Sequence, residues 1–228
     1  MRPTVLLFDI DGTLITTGGA GRRAIDRAFA QLHGRPDACS TFSFSGMTDR
    51  AIARLGLQAI GRESTEGAID ELISTYVRAL AEEVVSTPPD TYRVHAGMHD
   101  AIAQGRKHGM AIGLGTGNVK EGARIKLERV GLFGEFAFGG FGDDHELRPE
   151  LIRRGAERGL EHLGVREARV VVIGDTPKDI HAAHAIGAEC LAVATGGFTI
   201  EQLREAGGLH VFASLAAPGA MEALFALT

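Results

Sequence analysis

The chain opens on an uninterrupted apolar run, Val5-Leu6-Leu7-Phe8, that stops at Asp9-Ile10-Asp11-Gly12-Thr13. A short apolar run without alternation reads as a strand buried on both faces, and the acids and glycine after it read as a turn. The period then changes. Ala24, Ile25, Ala28, Phe29 and Leu32 recur at helical spacing over 20–33, and further helical stretches cover 49–59 and 65–85. No strand is expected in this block. Pro88-Pro89-Asp90 ends it, because adjacent prolines cannot continue a helix, and helical spacing resumes over 98–108.

From there strand-like and helix-like segments alternate. A strand over 110–116 leads to a helix over 119–130, where Val119, Ala123, Leu127 and Val130 share a face and Gly131 stops the element. A strand over 136–138, a helix over 149–163, a strand over 170–174, a helix over 177–186 and apolar segments at 190–194 and 210–212 follow. Alternation of this kind predicts an α/β fold with a Rossmann-like parallel sheet covered by helices on both faces. The helical block is then an insertion directly after the first strand. The expected division is a discontinuous core domain, 1–13 and 91–228, and a helical domain, 14–90.

Composition narrows the class of ligand. The net charge is −5 and aromatic residues make up 6% of the 228 residues, with no cluster of Lys or Arg, which argues against a nucleic-acid or membrane-surface binder. A small molecule is expected instead. No apolar stretch has the length of a membrane span, and the N-terminal apolar run is too short for a signal peptide, so a cytoplasmic protein is expected, monomer or homodimer. Cys39 and Cys190 are the only cysteines, far apart in sequence, and read as reduced, packed thiols.

Ligands of open α/β sheets bind beyond the carboxyl ends of the strands, so the polar residues there belong together. They are Asp9-Ile10-Asp11-Gly12-Thr13, Thr116-Gly117-Asn118, Arg148 before the helix at Pro149, and Gly174-Asp175-Thr176-Pro177-Lys178-Asp179. One Asp-x-Asp-Gly alone usually marks a turn. Apolar strands ending in acids at both Asp9 and Asp175 gather several carboxylates, which repel unless a cation or a shared proton sits between them. A hard divalent cation such as magnesium suits such a set together with a substrate phosphate.

With Phe8-Asp9-Ile10-Asp11-Gly12-Thr13-Leu14 as first motif, Thr116 as second and Gly174 to Asp179 as fourth, the sequence resembles the haloacid dehalogenase superfamily over nearly its whole length, and the stretch 171–197 resembles its phosphoglycolate-phosphatase-like members. The resemblance implies that the helical block is a C1-type cap and that the chain is a magnesium-dependent phosphatase acting on a small phosphorylated metabolite. It implies Asp9 as nucleophile, forming an aspartyl phosphate, and Asp11 as general acid and base with a raised pKa. It further implies that the Asp9 and Asp175 side chains and the Asp11 backbone carbonyl hold magnesium, with Asp179 behind them. Thr116 and the amides near Gly117 and Asn118 would hold the phosphate, and Arg50, in the loop and helix start at 45–50, would meet a second anionic group. Arg22 and Arg23 are weaker candidates of the same kind.

The third motif departs from the family pattern of Lys followed by Pro, with Arg148-Pro149 as its best match. Charge is kept and geometry changes; Lys120 and Lys178 are the fallbacks. His181 and His184 share a helix face, but without a soft partner nearby they do not read as a metal pair. A phosphonoacetaldehyde hydrolase is excluded because 14–90 contains no lysine for a Schiff base. A haloacid dehalogenase is disfavoured because Asp11 supplies an acid that halide does not need. A β-phosphoglucomutase-like transferase and, more remotely, a non-catalytic phosphometabolite-binding protein stay open.

Overall fold

A computed structural model describes residues 2–225. The first apolar run is strand β1 (Thr4–Phe8), buried along its whole length. The chain then forms one edge of a small antiparallel ribbon, β2 (Ile15–Thr17) paired with β3 (Tyr92–Val94). Helices α1 (Ala20–His33), α2 (Asp49–Ala59) and α3 (Glu66–Ser86) lie between the two ribbon strands. The rest alternates: α4 (Met98–Lys107), β4 (Ala111–Gly115), α5 (Lys120–Glu128), β5 (Phe138–Gly140), α6 (Arg148–Leu163), β6 (Arg169–Gly174), α7 (Pro177–Ala185), β7 (Glu189–Val193), α8 (Ile200–Glu205), β8 (His210–Phe212) and α9 (Ala220–Phe225).

Six strands form a parallel sheet in the order β5-β4-β1-β6-β7-β8. Successive side chains of a strand point to opposite faces, so β1 divides its residues between two apolar layers. Val5 and Leu7 pack with Leu151, Ile152, Val172 and Ile180, beneath α6 and α7. Leu6 and Phe8 join Ile112, Val171 and Ile173 in a layer that runs without a break into the helical insert through Ala24, Phe29, Leu57, Ile69, Leu72 and Leu80. Inside the insert α1 and α3 are tied by Arg23 and Arg27, whose guanidinium groups lie 2.7 and 2.8 Å from the Glu83 carboxylate.

The ribbon corrects one expectation, since β2 falls within the block where no strand was predicted. Its partner lies beyond the two prolines, and three residues give too little alternation to read. Helices α8 and α9 escaped notice for the same reason: six residues hold less than two turns. Among the described residues both cysteines are free and buried, and no helix is long and apolar enough to cross a membrane.

Candidate active site

Strand β1 sits between β4 and β6, where the strand order changes direction, and the carboxyl ends of these three strands open into one cleft. Asp9 follows β1, Thr116 follows β4 and Asp175 follows β6. A cavity of about 310 Å³ lies above them, its floor carrying Asp9, Asp11, Gly117, Asn118, Arg148 and Asp175, its roof carrying Ser45, Met47, Asp49 and Tyr76 from the insert.

The floor is crowded with acid. Burial pushes Asp9 up to about 6; Arg148 pulls it down, Asp179 and Asp11 push it up, and the Thr116 hydroxyl lowers it. Burial also raises Asp175 well above the ordinary carboxylate range, helped by Asp179 and Asp9. Asp9, Asp175 and Asp179 each offer an oxygen within 4.8 Å of the others, a triad that could hold a metal ion. Asp179 is already engaged, however. One of its oxygens accepts Arg148 Nε at 2.9 Å and Nη2 at 2.6 Å, and the other accepts the Thr176 backbone N–H at 3.0 Å and Oγ1 at 2.7 Å. Asp9 and Asp175 are left with room for a cation, and two buried carboxylates of raised pKa suit one. Close approach makes this possible: Gly12 has φ 83°, and a Cβ there would lie 2.4 Å from Asp175 Oδ2.

Arg148 lies between Asp9 and Asp179. It is 7% exposed, its Nη2 lies 3.0 Å from Asp9 Oδ1, and its Nη1 donates to the Gly46 carbonyl of the insert at 3.4 Å. Three directions served by one side chain require a planar fork. Neither Lys120 nor Lys178 lines the cavity, and His181 and His184 are exposed.

Asp11 differs from expectation. Burial alone would raise its pKa, but Lys126, Asn118 and Thr17 outweigh it and hold the carboxyl below its ordinary value. Lys126 Nζ donates to Asp11 Oδ2 at 2.6 Å, and Asn118 Nδ2 to the same oxygen at 2.8 Å. The side chain is still 41% exposed and faces the cavity. Thr116, fully buried, accepts from the Asn118 amide and its Nδ2 at 3.3 and 2.9 Å.

Arg50 does not meet the cavity. Its guanidinium donates to Asp70 and Glu66, both at 2.6 Å. One residue along a helix is a turn of about 100°, and here Asp49 takes the inward direction that Arg50 loses. Arg22 does line the cavity, but it is bound to Asp26 and the Cys39 carbonyl and stacks 4.4 Å above Phe44, while Arg23 serves Glu83.

Lys126, Asp49 and Tyr76 went unread in the sequence. Lys126 falls on the inward stripe Val119, Ala123, Leu127, Val130, and a lysine at that register is the informative signal of a buried charge. Asp49 reads as an ordinary first-turn acid and Tyr76 as an ordinary core aromatic. Burial pushes Asp49 up to about 6, against the pull of Lys126 and a 2.9 Å bond from the Val119 N–H.

That bond and a second, Asp49 N–H to the Gly117 carbonyl at 2.8 Å, dock the insert on the floor. Gly117 is needed for it, since a Cβ there would stand 2.2 Å from the Met47 carbonyl oxygen. Gly117→Ala is expected to part the two surfaces and speed amide exchange at Asp49 and Val119 by roughly tenfold, with the strands β1, β4 and β6 unchanged. Unaltered exchange at both amides would contradict this docking.

Comparison with known proteins places these features in a family. The family model of haloacid dehalogenase-like hydrolases matches residues 6–193. The chain is 27% identical to a phosphoglycolate phosphatase of Pseudomonas putida, over 85% of this chain and 70% of that protein. It is 28% identical to the probable phosphatase IndB of Dickeya dadantii, over 90% and 87%. Among solved structures, CbbY from Rhodobacter sphaeroides in complex with phosphate superposes with a TM-score of 0.72 at 19% identity, over 97% of this chain and all of that one. With its first-strand acids, its parallel sheet and a family match spanning most of its length, the chain belongs to the haloacid dehalogenase-like hydrolases.

Proposed function

We propose that this hydrolase is a magnesium-dependent phosphatase that cleaves small phosphomonoesters through an aspartyl phosphate on Asp9. The observation that carries the reading is Asp9 itself: a buried carboxylate beside Asp175, held by Arg148 at 3.0 Å and facing the cavity beneath the helical insert. An acid so placed is costly to the fold and is suited to attack on phosphorus.

Asp9 and Asp175 side chains with the Asp11 backbone carbonyl would hold magnesium, which when bound supplies positive charge to the phosphoryl oxygens. Asp9 attacks phosphorus, the ester oxygen departs, and Asp11 gives that oxygen a proton. Asp11 in its ionised form then takes a proton from water as the water attacks the aspartyl phosphate, freeing Asp9. Lys126 and Asn118 favour the ionised form, so Asp11 first takes up, from the bound substrate or from solvent, the proton that it hands to the ester oxygen. Arg148 offsets the charge of Asp9, while the Thr116 hydroxyl and the Gly117 and Asn118 amides hold phosphate at the start of α5. The helical insert serves as the cap and excludes water.

The test is phosphate release from p-nitrophenyl phosphate, phosphoglycolate and both glucose phosphates, with magnesium and with chelator. Phosphoglycolate belongs in the panel because several relatives carry its name. Chelator-sensitive release supports the reading. Interconversion of the glucose phosphates with a bisphosphate primer, and no release, replaces it with a transferase.

Protons should compete with the metal. Because Asp9 sits near 6 and Asp175 is raised, protons contend with the metal for both carboxyls, and apparent magnesium affinity is expected to drop as pH falls, by about tenfold per unit for each proton displaced. Calorimetric titration between pH 5 and 7 checks this; an affinity independent of pH would sink it.

A further inference from the structure

Lys126 is a buried cation to which the proposed chemistry gives no contact with phosphate or metal. It comes from α5, is 3% exposed, and places its ammonium at the cavity wall. Nζ donates to Asp11 Oδ2 and to Asn118 Oδ1, both at 2.6 Å, while Asn118 Nδ2 donates to the same Asp11 oxygen at 2.8 Å. The three side chains close a ring of hydrogen bonds, and Asn118 is itself fixed by the buried Thr116 hydroxyl at 2.9 Å. Two donors thus converge on one oxygen of a carboxylate that the Thr17 hydroxyl also touches and that faces the cavity.

A buried ammonium needs partners, since desolvating it alone costs several kcal/mol. A methionine or leucine would fill the same place in the stripe of α5 without that cost. What the lysine provides that an apolar side chain does not is a fixed direction for Asp11. With Oδ2 held by both donors, the orientation of the whole carboxyl is set, and Oδ1 is the oxygen left without a bond from Lys126 or Asn118. Asp49, from the insert, adds a second negative charge near the same ammonium, so the cation is favoured by one acid from each part of the molecule.

We propose that Lys126 is a positioning residue: with Asn118 it clamps Oδ2 of Asp11 so that Oδ1 is presented to the ester oxygen of the substrate. This rests on the phosphatase reading, and it assigns to α5 a role in leaving-group departure. No new bond is made by Lys126. It acts on the substrate through where Asp11 points.

The test compares kcat/KM for two esters, glycerol phosphate and p-nitrophenyl phosphate, because kcat/KM covers the steps up to leaving-group departure. An alkoxide needs an acid in order to leave, whereas p-nitrophenolate leaves unaided, so an effect that runs through Asp11 falls on the first ester. Lys126→Met is expected to lower kcat/KM for glycerol phosphate by about a hundredfold and for p-nitrophenyl phosphate by no more than about threefold. Asn118→Ala, which removes the second donor but leaves the lysine, should give the same asymmetry at smaller size, and it answers the question if Lys126→Met does not fold. Equal losses on both esters, or no loss, overturn the inference while leaving the phosphatase intact. A wild-type protein that releases phosphate from neither ester overturns the phosphatase reading, and this inference with it.

Discussion

Asp9→Asn is expected to abolish phosphate release and, at the same time, to raise the thermal midpoint of the metal-free protein. Asparagine keeps the shape of aspartate but cannot attack phosphorus, so turnover should fall by at least about four orders of magnitude, to the background of the assay. The stability effect has the opposite sign. Asp9 has its pKa raised by burial to about 6 from an ordinary 3.8, so the folded state holds its proton more tightly than the unfolded chain does. Stability from this group is present at low pH and lost as pH rises through the folded pKa; at pH 7 the ionised carboxyl costs on the order of 1 to 3 kcal/mol. Removing the charge returns part of that, and Arg148 keeps Asp179 as its partner. Retained turnover would exclude an aspartyl phosphate on Asp9, and a lowered midpoint would mean that the Arg148 contact outweighs desolvation.

The second large effect belongs to Arg148→Ala. Asp179 is wholly buried, and one of its oxygens takes two hydrogen bonds from the guanidinium. Without Arg148 that carboxylate is a buried charge missing its main partner, which costs about 3 to 5 kcal/mol. Turnover should fall too, clearly but by less than for Asp9→Asn, since the nucleophile remains and only its neutralising neighbour is gone. Arg148→Lys is expected to recover little. A single ammonium cannot meet Asp179, Asp9 and the Gly46 carbonyl from one position. Thermal melts and steady-state rates on both variants check this, and a full rate in Arg148→Ala would move the third-motif role to another cation.

Much of this arrangement was legible from residue order. Asp9 follows an apolar run directly and Asp175 follows one after a single glycine, and a run that ends this way in a carboxylate marks both a strand and the end of it, so these two acids could be placed from the sequence. Arg148 could be placed by its proline, because Pro149 at the first turn fixes where α6 starts. What could not be read is direction across long separations. Asp11 and Lys126 are 115 residues apart; the register of α5 says that the lysine turns inward, but nothing local says which acid it meets. The expectation of a raised pKa for Asp11 failed for that reason: it followed from chemistry that needs an acid, while the structure surrounds the group with donors. Arg50 failed more simply, by one helical step, with Asp49 in the place where a cation was expected. The ribbon and the two six-residue helices lay below the length at which a period can be seen at all.

The ribbon has a consequence for how such a molecule can change over generations. Ile15–Thr17 and Tyr92–Val94 run side by side, so the points where the chain departs from the sheet and returns to it are about 5 Å apart. Everything between them is delivered through one doorway. A different helical cassette, shorter or longer, could be spliced in through that doorway without moving Asp9, Thr116 or Asp175, provided it brought an apolar surface to match α5, against which α3 now rests. Descendants of one ancestral sheet could therefore trade their lids and keep their chemistry, and the selectivity of each would be inherited separately from its reaction.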